Sequence, residues 1–156
     1  MTHQRAVQLC LLLIVLSTIQ LKGQFYSGNY VSQPQTEEYS HFQIKHHPHH
    51  EKYGGDLQIK AFVGDHKLWT QNAILLDGSE SEAFIKNYGA DHDILSVYKL
   101  SILFDGVDWE YFLLGYEDER GHSRFRVVEE IFEIQGDAAP VELYVFDWCK
   151  KHDAVN

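Results

Sequence analysis

The stretch "ILSVYKLSILFDGVDWEYFLLGYE", Ile94 to Glu117, decides the fold class. Tyr98, Leu100, Ile102 and Phe104 fall on one face of an extended chain, and Lys99 and Ser101 fall on the other. A period of two is the signature of a half-buried strand, because successive side chains of extended backbone point to opposite faces. Asp105-Gly106 then supplies the residue types that a tight turn requires, and "WEYFLLGYE", from Trp109, returns as a second apolar run. Leu95 to Glu117 therefore reads as a β-hairpin.

The same pattern extends in both directions. "LQIKAFV" (Leu57–Val63) alternates, with Leu57, Ile59, Ala61 and Val63 on one face, and "LWTQNAILL" (Leu68–Leu76) follows a turn at "GDHK". "DGSESEAFIKNYG" differs: Ser79 and Glu82 have the spacing of a capping box, Phe84 and Tyr88 lie one turn apart, and Gly89 can end a helix. A short helix is expected over about Glu80–Tyr88. "RFRVVEEIFEI" fits a strand with a face of glutamates, and also a helical stripe; its aromatic and β-branched residues favour the strand. "PVELYVFDW" is apolar on both faces and reads as a central or doubly covered strand. The expected fold is mainly β, an antiparallel β-sandwich of six or seven strands with one short helix. If 126–135 were helical, the alternative would be an α+β fold, an antiparallel sheet with helix on one face.

At the N-terminus, Arg5 precedes the apolar run "AVQLCLLLIVLSTI", which is shorter than the ~20 residues of a membrane span. That arrangement is a secretory signal peptide, with cleavage placed after Gly23. Residues 24–55 are rich in Gln, Ser, Tyr and His and poor in aliphatics, so they read as a flexible polar arm. The β-rich domain is placed at 56–149 and a tail at 150–156. The expected location is extracellular.

Charge and cysteine content exclude several classes. The chain carries a formal net charge of −10, and removing residues 1–23 deletes Arg5 and Lys22 and no acid, making it more negative still. Nucleic acid and anionic membrane are bound through clustered Lys and Arg, so neither is an expected partner. Cys10 lies in the leader, which leaves Cys149 alone; it is either a buried, inert thiol or the source of an intermolecular disulfide in a homodimer.

The candidate sites are few. His46, His47, His49 and His50 sit in "HHPHH", where neutral imidazole can bind zinc or copper weakly, as any His-rich tag does. Acidic turns offer oxygens for calcium, with Asp105, Asp108 and Asp137 placed by antiparallel connectivity at one pole. Trp69 and Trp109 lie next to turns and are contact candidates, although core packing is the commoner role of tryptophan. No nucleophile elbow, zinc-protease helix, phosphate loop or Cys–His spacing occurs, so no catalysis and no resident cofactor is expected. The expected function is a secreted, non-catalytic binding or interaction module whose partner is an extracellular protein or a small ligand. The alternatives are a carrier of a small apolar ligand, and a protein responsive to zinc, copper or calcium.

Overall fold

The computed structural model describes residues 26–33, 41–47, 55–90, 92–104, 107–133, 140 and 142–151. Eight strands run in chain order: β1 (Gly28–Gln33), β2 (His41–His46), β3 (Leu57–Val63), β4 (His66–Leu75), β5 (Ser96–Phe104), β6 (Val107–Glu117), β7 (Ser123–Glu133) and β8 (Glu142–Lys150). One helix, α1 (Gly78–Tyr88), lies between β4 and β5. Each strand pairs antiparallel with its chain neighbour, and β8 pairs with β1, so the sheet closes into a barrel. The mainly β class, the antiparallel pairing and the helix after β4 agree with the sequence reading; the sandwich of six or seven strands does not. Alternation tells which side chains face inward, but nothing within a strand says whether the last one pairs with the first. Eight twisted strands can close on themselves, and here they do.

The count rises to eight because β1 and β2 come from residues read as arm. In β1 the inward positions are Tyr30 and Ser32, both buried, and neither is aliphatic. That is why the hydropathy pattern did not mark the strand. The segment 126–135 is strand through Glu133. The leader, most of the remaining arm and the end of the tail lie outside the described residues.

Register assembles the lumen from the period-two faces. Tyr30 opposes Phe42 and Phe42 opposes Ala61; Leu100 opposes Tyr111; Leu113 opposes Val127; Phe125 opposes Trp148. These residues belong to one buried cluster. The pole where the described chain begins and ends, here the entry pole, is plugged by Tyr26. Its ring lies 4.7 Å from Phe125 and 6.0 Å from Tyr98, its hydroxyl accepts from Ser96 at 3.1 Å, and its carbonyl accepts from the Tyr30 hydroxyl at 2.9 Å. Gly115 makes room for it: a Cβ there would sit 2.5 Å from the Tyr26 oxygen.

Helix α1 is capped by Asp77, not by Ser79: the Asp77 carboxylate accepts from the backbone N–H groups of Ser79 and Glu80. An Asp side chain one residue before the first turn reaches the orphan amides that Ser79, already inside the helix, cannot. Phe84 stacks on Phe112 at 3.8 Å, over a second buried cluster of Val97, Phe112, Leu114 and Val128. The helix therefore covers the outer face of β5–β7, which is why β6 is buried on both faces. On β8, the reading of double coverage fails in its first half, where Leu143, Tyr144 and Val145 are exposed.

The fit of Tyr26 against Gly115 gives a stability test. Gly115→Ala should destabilise the barrel by about 1–3 kcal/mol through overpacking, read as a lower urea midpoint with unchanged slope. Gly115→Ala combined with Tyr26→Leu should recover part of the loss that Tyr26→Leu and Gly115→Ala would show if they simply added.

Candidate functional site

A cleft of about 680 Å³ opens on the outer wall at the entry pole, lined by His92, Asp93, Tyr116, Glu117, Asp118, Glu119, Arg120, His122 and Arg124. Three segments build it: the chain between α1 and β5, the end of β6 with the β6–β7 turn, and the start of β7. "DERGHS" forms the turn because Asp118 organises it. One carboxylate oxygen accepts from the Arg120 and His122 amides at 3.0 and 2.9 Å, and Gly121 takes the left-handed φ of 79° that closes the loop. The other oxygen accepts from Arg124 Nε at 2.8 Å. Hydrogen bonds, from the His122 amide first, hold the Asp118 carboxyl down to about 2.

From Arg124 a chain of contacts crosses to the closing seam. Arg124 Nη1 reaches Cys149 Sγ at 2.9 Å, and the thiol donates to Gln33 Oε1 at 3.1 Å. Cys149 is 7% exposed, and burial is the main cause that raises its thiol pKa. Beside it, Arg126 Nε donates to Asp147 at 3.2 Å, and its Nη2 lies 3.4 Å from His92 Nε2. With Arg126 as donor, His92 Nε2 is the acceptor and the neutral ring carries its proton on Nδ1.

His92 lies flat on Tyr116, with ring centroids 4.1 Å apart and planes 11° from parallel. Tyr116 is 3% exposed yet lines the cleft, and its hydroxyl has no hydrogen-bond partner among the described residues. Burial, and then the Asp147 charge, raise its pKa. The cleft thus combines a rigid turn, a stacked ring pair, one tyrosine hydroxyl with spare bonding capacity, and a rim of charge.

The sites expected from sequence fall elsewhere. His46 ends β2, and His47 is buried just beyond it, with its amide bonded to the Asp56 carbonyl at 2.9 Å. Burial lowers the pKa of both. His49 and His50 lie outside the described residues, as do Asp105 and Asp137. Asp108 is on β6, in register with Leu103 and Phe132. Among the described residues, no three His, Cys, Asp or Glu side chains are grouped to hold a metal ion. Trp69 and Trp109 are partly buried and pack against the lumen cluster. The cleft residues carried little signal in the chain: His92 and His122 read as ordinary turn histidines. The pairing of Tyr116 with Arg124 exists only through the β6–β7 register.

The fold defines the protein as a closed eight-stranded antiparallel β-barrel of meander topology, with the outer helix α1 and a polar lateral cleft. No family model, curated protein or solved structure matches the chain.

Asp118 makes the turn acid-sensitive. A carboxyl held near 2 stabilises the fold fully above its unfolded pKa of about 4, and that contribution is lost as pH falls towards 2. Asp118→Asn should therefore lower stability at neutral pH, and its thermal midpoint should fall less steeply than wild type between these two pH values. Parallel curves would show that the carboxylate does not hold the turn.

Proposed function

We propose that the protein is a secreted binding barrel that takes a small ligand in the lateral cleft and performs no chemistry on it. The observation that carries this reading is Tyr116, a buried residue that lines a cleft of ligand size and whose hydroxyl has no hydrogen-bond partner among the described residues. Small-ligand clefts span roughly 300–1,000 Å³ and place a few polar groups on an otherwise fixed wall. The Asp118 turn and the His92–Tyr116 stack supply such a wall. Binding is favoured over catalysis by the state of the thiol: Cys149 keeps its proton in a hydrogen bond to the Gln33 amide oxygen, and burial raises its pKa, so it is not poised as a thiolate nucleophile. Secretion rests on the basic, apolar leader at residues 1–23.

The test is a fragment screen on the isotope-labelled protein, read by amide shifts. Fragments that bind should move the amides of 92–93 and 116–124 together. If saturating fragments move other regions only, the cleft is not the ligand site.

A second reading, the apolar carrier, is favoured by the lumen. Trp148 and Ser32 oppose each other across the closing seam, both buried, and the indole N–H and the hydroxyl have no hydrogen-bond partner among the described residues. Phe42 stacks on Trp148 at 3.9 Å, and Trp69, Trp109 and Phe146 continue the aromatic wall towards the far pole, partly exposed. N-phenyl-1-naphthylamine should then quench tryptophan emission with saturation, and Ser32→Val should weaken that binding. Absence of saturable quenching at soluble probe concentrations would reject the carrier.

A further inference from the structure

We infer that the lateral cleft is selective for a small organic cation, a primary ammonium carried on a flat apolar body; this rests on the cleft being the ligand site. The first argument is a count of which charges are already spent. Asp118 and Arg124 are paired at 2.8 Å and cancel. That leaves Asp93, Glu117 and Glu119 on the lining against Arg120, and all four are exposed. Within a Debye length of about 8 Å at physiological salt such a rim acts as one field, and its net sign attracts cations.

The second argument disposes of the anion. The guanidinium groups in the wall would be natural carboxylate or phosphate clamps, but each is already paired with a carboxylate. Arg124 gives Nε to Asp118 and Nη1 to Cys149, while Arg126 gives Nε to Asp147 and Nη2 to His92. An anion entering here would meet two guanidinium charges that Asp118 and Asp147 already balance, and would face those carboxylates at close range.

The third argument is the Tyr116 oxygen. Tyr116 is 97% enclosed by the protein, given its 3% exposure, and its hydroxyl lines the cleft without a partner among the described residues. A phenol oxygen can accept an ammonium N–H while the His92–Tyr116 stack presents π-surface to the cation and its apolar body. A bare metal ion fits less well: no three His, Cys, Asp or Glu side chains are grouped for one among the described residues, and about 680 Å³ far exceeds its need.

The experiment titrates the folded, leader-free chain with three probes of one shape: phenethylamine (cation), 2-phenylethanol (neutral) and 3-phenylpropionate (anion). Amide shifts locate the site and calorimetry gives affinity. Phenethylamine is expected to shift the amides of 116–124 and to bind on the order of ten-fold more tightly than 2-phenylethanol, with 3-phenylpropionate weaker again. Glu117→Gln with Glu119→Gln should remove most of that preference, and Tyr116→Phe, which keeps the ring stack, should lower phenethylamine affinity several-fold. Wild-type circular dichroism of each variant establishes that it is folded. If 2-phenylethanol or 3-phenylpropionate binds the same amides as tightly as phenethylamine, cation selectivity is overturned and the cleft stands as a binding site. If none of the three moves those amides at millimolar concentration, both readings fall.

Discussion

Everything in this molecule depends on the pairing of the first strand with the last. Four residue pairs, from Tyr30 with Lys150 to Gln33 with Asp147, close the sheet. Without them β1 and β8 would be edges, and the lumen between them would be open to water. Closure is the one arrangement that satisfies both edge ladders at once. The seam is reinforced on both faces. Inside, Trp148 lies against Phe42 and opposite Ser32; outside, the Asp118–Arg124–Cys149–Gln33 chain runs from the β6–β7 turn across β7 and β8 to β1. Cys149, the lone cysteine of the folded part, thus serves as a polar stitch at the point where the chain's ends meet.

Closure also explains how the barrel is filled. An eight-stranded barrel leaves an interior just wide enough for side chains or one small ligand. At the entry pole, aromatic rings take that space: Tyr26 enters from before β1 and packs against Tyr98 and Phe125, and it fits because position 115 has no side chain. Towards the far pole the wall is Trp69, Trp109 and Phe146, which stay partly exposed. The two tryptophans singled out in the sequence pack against the lumen cluster and stay partly exposed.

The outer wall divides into two territories. Over β5–β7, α1 covers Val97, Phe112 and Leu114, so the apolar side chains there are core. At the end of β6, His92 stacks on Tyr116, which lies among the polar groups of the turn and of β7 and β8. The cleft is what remains where the helix ends and the hairpin turn begins. Its rigidity comes from Asp118, whose hydrogen bonds fix both the turn and the guanidinium that forms one wall.

The sequence alone determined the strand class and the helix. It did so because local alternation and turn chemistry are properties of adjacent residues. The hairpin at Leu95–Glu117 was legible for that reason, and so was the strand character of "RFRVVEEIFEI", whose β-branched residues suit a pleat. β1 was not legible, since Tyr30 and Ser32 make an inward face without aliphatic residues, and neither was Tyr26, whose place is set by a glycine 89 positions away. Closure, the division of the outer wall and the cleft were decided only by tertiary structure. Each depends on partners far apart in the chain, such as Gln33 with Cys149 and His92 with Tyr116, and no local pattern encodes which distant strands will meet.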